Sequence, residues 1–370
     1  MNGGPLRTVV CGTGFGRFYL EALRLLPEDF APVGILARGG DFSRAYAREQ
    51  GLPLYTSVED LPGDVDAACV AVGSAVSGGP GAEIAHGLLA RGVHVLQEHP
   101  VHHDELAGLL RAARGAGLVY HLDPFYRHVP AVGRFLDAAA EMRRRGPVLA
   151  VDATSALQVL YPLLDVLGRA LGGLRPWAVT DPLDPGTAHP AATPPPYRVV
   201  QATVAGVPVT LRVQNQIDPS DGDNHALLWH RLSLAAEGGV LALADTHGPV
   251  LWHPRLHAPR DGHGRLRSTG PGTDHLDEPA VTVLEGTLPP SHREVFARVW
   301  PRTLARAMAD FAADVRTGAD PLPRGQFDLS VCRLWHEVTG RLGRPDIIRP
   351  AAPVPWRAAD LDRTAPMGAP

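Results

Sequence analysis

Two short segments bring together side chains that could move a proton in an enclosed site. One is Gln97-Glu98-His99-Pro100-Val101-His102-His103, and the other is Asp123-Pro124-Phe125-Tyr126-Arg127-His128. A tyrosine is protonated at neutral pH and a histidine can be, so His99 and Tyr126 are the candidate general acids. A third segment, Cys11-Gly12-Thr13-Gly14-Phe15-Gly16, follows a short apolar run. Glycines there permit a tight turn and let backbone N–H groups approach a pyrophosphate at a helix N-terminus. A hydride from a dinucleotide and a proton from a side chain together make a reduction.

Composition removes other chemistries. All 35 basic residues are arginine, so no Schiff-base, phosphate-loop or acid/base lysine exists. His99, His102, His103 and Asp104 invite a metal reading. His102 and His103, however, are adjacent at a helix start where polar residues belong, and the sequence shows no distal ligand cluster. No metal is expected. Three scattered cysteines make neither a disulfide framework nor a metal motif, and a net charge of −4 gives no case for nucleic acid or an anionic membrane. No apolar run approaches the roughly 20 residues of a membrane helix. Met1 to Pro5 lack the basic and apolar regions of a signal peptide, so a cytoplasmic location is expected.

These residues need elements to hold them. Apolar runs at Leu6–Cys11, Pro32–Ala37, Ala67–Val72, Val93–Gln97 and Gly117–His121 alternate with helical patterns at Phe18–Leu26, Phe42–Gln50, Glu83–Arg91 and Asp104–Arg114. That order predicts βαβ units and a doubly wound parallel Rossmann sheet. The proton-moving segments then sit at the carboxyl ends of the last two strands, where such sheets bind ligands. Beyond Pro124 the pattern predicts helices over 131–145 and 157–171 and strands over 148–154, 198–217, 227–235 and 240–244. Further helices are predicted over 302–317 and 328–342. The fold class is therefore α/β, an N-terminal Rossmann domain followed by an α+β domain with an open, mainly antiparallel sheet. The expected division is 1–123 for nucleotide binding, 124–348 for substrate and dimerisation, and 349–370 as a loosely packed tail. Two Pro/Gly/His-rich stretches, 172–196 and 253–279, read as long loops.

The glycine loop departs from G-x-G-x-x-G, because Arg17 stands where the third glycine would be and Gly16 comes one residue early. The second strand ends Leu36-Ala37-Arg38, without the carboxylate that holds the ribose of NAD. An arginine there suits a 2′-phosphate, so NADPH is favoured. The expected cofactor contacts are Gly12, Thr13, Gly14, Phe15, Gly16, Arg38, Ser43, Val72, Gly73, Ser74, Glu98 and His99.

The motifs GTGFGRFYLEAL, GILARG, PLYTSVEDLP, the Gly78-Gly79 turn, LLARGVHVLQEHP and LQVLYPLLDVLGRALGGLRPW carry a resemblance over about the first 180 residues. The layout is similar to the glucose-fructose oxidoreductase and inositol dehydrogenase family, whose Glu-Lys-Pro here reads Glu98-His99-Pro100. Histidine for lysine, with Asp123-Pro124-Phe125-Tyr126, resembles the thiazolinyl imine reductase branch. The resemblance implies NADPH-dependent reduction of a thiazoline C=N bond to a thiazolidine. It implies a substrate carried by a carrier-protein domain of a nonribosomal peptide synthetase making a siderophore, and a homodimer paired through its antiparallel sheets. His99 or Tyr126 would protonate the ring nitrogen. The family's sugar dehydrogenases carry D-x-G-x-H-x-x-D. Aligned on Asp165, that motif meets Gln158 and Pro162 here, so the alcohol-oxidising acid/base pair is missing. Reduction of another small imine, ketone or sugar stays open, as does NADPH binding without turnover.

Overall fold

The computed structural model describes residues 4–74, 79–123, 125–183, 195–222, 224–351 and 354–361. Gly78, Pro124, the middle of the 172–196 stretch and the end of the tail lie outside them. The first half alternates β1 (Leu6–Cys11), α1 (Gly16–Arg24), β2 (Phe30–Leu36), α2 (Asp41–Gln50), β3 (Leu54–Tyr55) and β4 (Ala67–Val70). It continues with α3 (Gly81–Ala90), β5 (His94–Glu98), α4 (His103–Gly115) and β6 (Tyr120–Asp123). The strands order as β3-β2-β1-β4-β5-β6, all pairs parallel. Strand order reverses beside β1, which opens a crevice at the carboxyl ends of β1 and β4. Buried on both faces, β1, β4 and β5 read as continuous apolar runs rather than alternating ones.

The second half runs α5 (Pro130–Arg145), β7 (Val148–Ala156), α6 (Leu160–Leu171), β8 (Trp177–Val179), β9 (Tyr197–Val204), β10 (Val207–Gln214) and β11 (Gln216–Ile217). Next come β12 (His230–Ala236), β13 (Gly239–Leu243), β14 (Val250–Pro254), β15 (Thr282–Val283) and the single turn α7 (His292–Glu294). Then come α8 (Trp300–Thr317), α9 (Pro321–Leu342), β16 (Asp346–Ile347) and the single turn α10 (Ala358–Leu361). Eight strands form one sheet, β15-β14-β13-β12-β7-β10-β9-β8, antiparallel except where β7 meets β10. β11 and β16 pair separately.

Several boundaries differ from the sequence expectation for local reasons. α9 starts at Pro321, seven residues before the expected Asp328, because Asp320 caps it and proline is tolerated in a first turn that lacks N–H partners anyway. The helix expected from Leu157 opens as one tight turn, Leu157–Val159, before α6 begins. β8 lies inside a stretch expected to be loop. The two sheets lie on either side of residue 124, yet α8 packs on α1, and α9 on α4. The last two long helices thus brace the nucleotide half. Among the described residues, no helix is long and apolar enough to cross a membrane. The described part of the tail is exposed, including Val354 and Trp356.

Candidate active site

The glycine loop is shaped by what stands behind it. A Cβ on Gly12, at φ +96°, would lie 2.4 Å from the Ala71 carbonyl oxygen, so no other residue fits that turn against β4. Gly16 starts α1, and a Cβ there would lie 3.2 Å from Val10 Cγ1, so it serves the close helix–strand packing expected of a third glycine. A Cβ on Gly14 would meet nothing within 4 Å. The loop therefore closes on its protein side and is open at Gly14, where backbone can meet a pyrophosphate. Thr13 completes the turn, while the Phe15 ring joins an aromatic cluster with Phe18, Tyr19, Phe125 and Trp300, at 5.2–6.0 Å between centroids.

At the end of β2, Arg38 is exposed and has no hydrogen-bond or ion-pair partner among the described residues. Ser43 is different. Its hydroxyl is buried and donates to the Gly40 carbonyl at 3.0 Å, so it serves the start of α2 first. Arg44 lies near Gly39, its Nη2 3.5 Å from where a Cβ there would sit. After β4, Val72 flanks Gly12, Gly73 accepts from Gly81 N, and the buried Ser74 hydroxyl donates to the Pro100 carbonyl at 2.8 Å. Ser74 thereby ties this turn to the segment after Glu98.

His99 leaves the end of β5 beside Asp123 at the end of β6. Its Nδ1 lies 2.8 Å from the Asp123 carbonyl oxygen. A carbonyl only accepts, so Nδ1 carries the hydrogen and, in the neutral ring, Nε2 carries the lone pair. Burial pulls the His99 pKa below its ordinary value, against opposing influences from Asp123 and Asp165. The ring stacks on Tyr161 at 5.3 Å and 19°, and Tyr126 stands 6.1 Å away, tilted by 66°. The Asp123 carboxylate is itself buried, accepting from Tyr19 Oη at 3.0 Å and Phe125 N at 2.9 Å.

Tyr126, on the single turn Phe125–His128, is buried and packs edge-on against His230 at 4.8 Å. His230 uses both nitrogens: Nε2 lies 2.8 Å from the Val159 carbonyl and Nδ1 3.0 Å from Thr246 Oγ1. Burial pushes its pKa down to about 4, so it is neutral and structural at pH 7. Trp229 lies 6.4 Å from Tyr126 and stacks on Trp300 at 5.7 Å and 26°. Asn224 is exposed and bonded to Asp221, outside this cluster. Asp165 is held by Arg169 at 3.0 Å through both oxygens. Gln158 has both amide atoms shielded from solvent and without a hydrogen-bond partner among the described residues.

The structure thus brings His99 and Tyr126 together at the carboxyl ends of β5 and β6, gives Asp123 of the same segment a role, and adds Tyr19, Tyr161 and Trp300, which sequence reasoning missed. Asp123 orients His99, Tyr19 holds Asp123, Tyr161 supports the His99 ring, and Trp300 closes over Phe15. Tyr161 and Trp300 reach the site from α6 and α8, and no local pattern marks such contacts.

Residues 6–123 match the model of an oxidoreductase family with an NAD-binding Rossmann fold, Gfo/Idh/MocA. Residues 146–253 match that of the thiazolinyl imine reductase Irp3-like C-terminal domain. The chain carries the NAD-binding Rossmann domain of the Gfo/Idh/MocA oxidoreductase family. The NAD-binding match covers every expected cofactor residue of this oxidoreductase, and the Irp3-like match covers Gln158, Tyr161, Trp229 and His230. A 3-ketoreductase from Actinomadura kijaniata, solved with NADP, has a similar fold (TM-score 0.64, 20% identity, covering 94% of this chain and 100% of that one). So do an oxidoreductase domain protein from Kribbella flavida (0.64, 19%, 91% and 97%) and a UDP-N-acetylglucosamine 3-dehydrogenase from Acidithiobacillus ferrooxidans (0.60, 16%, 89% and 96%). No curated protein sequence matches the oxidoreductase.

Proposed function

We propose that the protein is an NADPH-dependent imine reductase, acting on a thiazoline ring presented by a carrier protein. The observation that carries this reading is the Irp3-like match over the domain that places Trp229 and His230 beside Tyr126. The loop fits a dinucleotide, being open at Gly14, and the unpartnered Arg38 suits the 2′-phosphate that distinguishes NADP from NAD. When bound, a reduced nicotinamide supplies the hydride, two electrons and one proton, to the imine carbon.

The chain supplies the other proton and the shape. With Nδ1 committed to the Asp123 carbonyl and its pKa lowered by burial, His99 is neutral near pH 7 and offers a lone pair at Nε2. It therefore accepts a hydrogen bond and cannot donate one from that atom. Tyr126 is the proton donor in this reading, its phenol passing H⁺ to the ring nitrogen as the C=N π bond becomes N–H, and regaining it from water afterwards. His230 fixes the Tyr126 ring by packing, and the Trp229–Trp300 stack presents an apolar face for a flat ring. The sugar-oxidising alternative is disfavoured, since Pro162 cannot act as a base and Asp165 is tied to Arg169.

The test is NADPH oxidation with an aryl-thiazoline thioester mimic, with the product followed by mass. Gain of two hydrogens by the ring is expected. Tight NADPH binding without turnover on any thiazoline would overturn the substrate. Turnover on small ketones instead would move the activity to the other reductases of this fold.

A further inference from the structure

Away from the cleft, three imidazoles converge where α4 begins. His102 caps that helix, its side chain accepting from Asp104 N at 3.4 Å, and His103 is its first residue. The distal partner that the sequence does not reveal is His336, delivered by α9, which packs on α4. The ring centroids lie 4.2 Å apart for His102 and His103, 5.3 Å for His102 and His336, and 5.2 Å for His103 and His336. One nitrogen of each ring lies within 4.8 Å of one nitrogen of the other two.

Two features separate this cluster from imidazoles that merely pack. His103 Nδ1 is shielded from solvent and has no hydrogen-bond partner among the described residues, so its bonding capacity is unspent. An imidazole nitrogen with a free lone pair is what a borderline metal ion binds. Finally, a carboxylate is within reach. Asp104 Oδ1 lies 3.5 Å from His103 Nε2 and Oδ2 3.8 Å from His102 Nδ1, on a side chain that is 81% exposed and free to swing.

We propose that His102, His103 and His336 bind one divalent transition-metal ion of the zinc class, with Asp104 or water as the fourth ligand. Zinc–imidazole bonds of about 2.0–2.1 Å put tetrahedral nitrogens roughly 3.4 Å apart, so the rings must close in by about an ångström. The exposed His336 can supply that movement by side-chain rotation. The ion would bind α9 to the first turn of α4, directly downstream of His99 and Pro100. It stands apart from the hydride chemistry and would act as a brace on that segment.

The experiment uses the full chain, free of any purification tag and stripped with a chelator. Zn²⁺ is titrated calorimetrically, and Co²⁺ is added as a visible probe of coordination. One equivalent should bind, Co²⁺ should develop the absorption bands of a four-coordinate nitrogen–oxygen site, and zinc should raise the thermal midpoint. His336→Ala should weaken binding by roughly 100-fold and abolish that rise. His102→Asn, which keeps a side-chain acceptor at the cap, should behave likewise and covers the case in which His336→Ala fails to fold. No saturable binding by the native chain, or unchanged binding in the folded variants, overturns the site.

Discussion

On the β1 side of the cleft the protein leaves bonding groups unspent. Gly14 faces open space and Arg38 has no partner among the described residues, while Gly12 and Gly16 give up side chains so that the loop can close against Ala71 and Val10 behind it. On the β12 side the groups around Tyr126 are already matched to one another. His230 is bonded through both nitrogens, Trp229 lies on Trp300, and Trp300 Nε1 is 3.3 Å from His247 Nε2. The first wall is made to be completed by a charged, flexible molecule. The second is preorganised, as the proposed transfer of a proton to a small, nearly flat ring requires.

The sharpest break of that comparison is at the proton. Tyr126→Phe keeps the ring against His230 and removes only the hydroxyl, so kcat should fall by roughly 10²- to 10⁴-fold with NADPH binding unchanged. His99→Ala should also slow the reaction, and the two pH profiles differ in sign. If neutral His99 is the working form, activity declines as pH drops below the lowered His99 pKa. A rate that instead climbs in acid would make the imidazolium the donor and reverse the assignment of roles.

The preorganised wall should also register in stability. The His230 pKa is about 4 in the folded chain against an ordinary 6.5, so the unfolded chain takes up the proton first as pH falls. The associated stability is fully present above pH 6.5 and is lost progressively down to pH 4, amounting to about 3 kcal/mol. Urea midpoints of the native chain and His230→Gln, compared at pH 8, 6 and 4.5, should converge by a good part of that amount. A gap independent of pH would mean that His230 is not held neutral.

How much of this the sequence could show follows from how each residue is placed. The Rossmann half was legible because its strands are buried on both faces and its site residues fall at strand ends, a local rule that placed Gly12 and His99. The Arg38 position was legible for the same reason. Gly16 was harder, since its early position looks like a defect until the Val10 side chain is seen against it. Tyr126 was found through resemblance and strand-end logic together. Tyr161, Trp300 and His336 were not found, because each arrives on a helix from a remote part of the chain. The Ser43 hydroxyl was expected at the cofactor, but its bond to Gly40 shows that serine near a helix start serves the helix as readily as a ligand.

The glycine loop offers a smaller test, on the open wall. Gly12→Ala sets a Cβ 2.4 Å from a backbone carbonyl at a left-handed φ, and backbone can yield only at the cost of the β1–β4 turn. A loss of about 2 kcal/mol in urea unfolding is expected, together with weakened cofactor binding. Gly14→Ala has open space at the same test and should leave stability nearly unchanged while still weakening the cofactor. Equal losses of stability in both variants would remove the distinction between the structural and the ligand-facing glycine.

The mildest change isolates the phosphate. Arg38 has nothing to hold within the described chain, so replacing it should cost the fold little, and any loss must be read in the ligand. Arg38→Asp replaces a fork of donors with a carboxylate that repels a 2′-phosphate and can accept from a 2′-hydroxyl. One charge-assisted contact is worth about 1.5 kcal/mol, so the KM for NADPH should rise by roughly tenfold or more while that for NADH stays level or falls. The comparison is strongest as a ratio, since the change in preference cancels general damage to the loop. Parallel losses for both cofactors would show that Arg38 lies clear of the 2′ position, and would shift the selectivity to Arg44, the next cation along this edge.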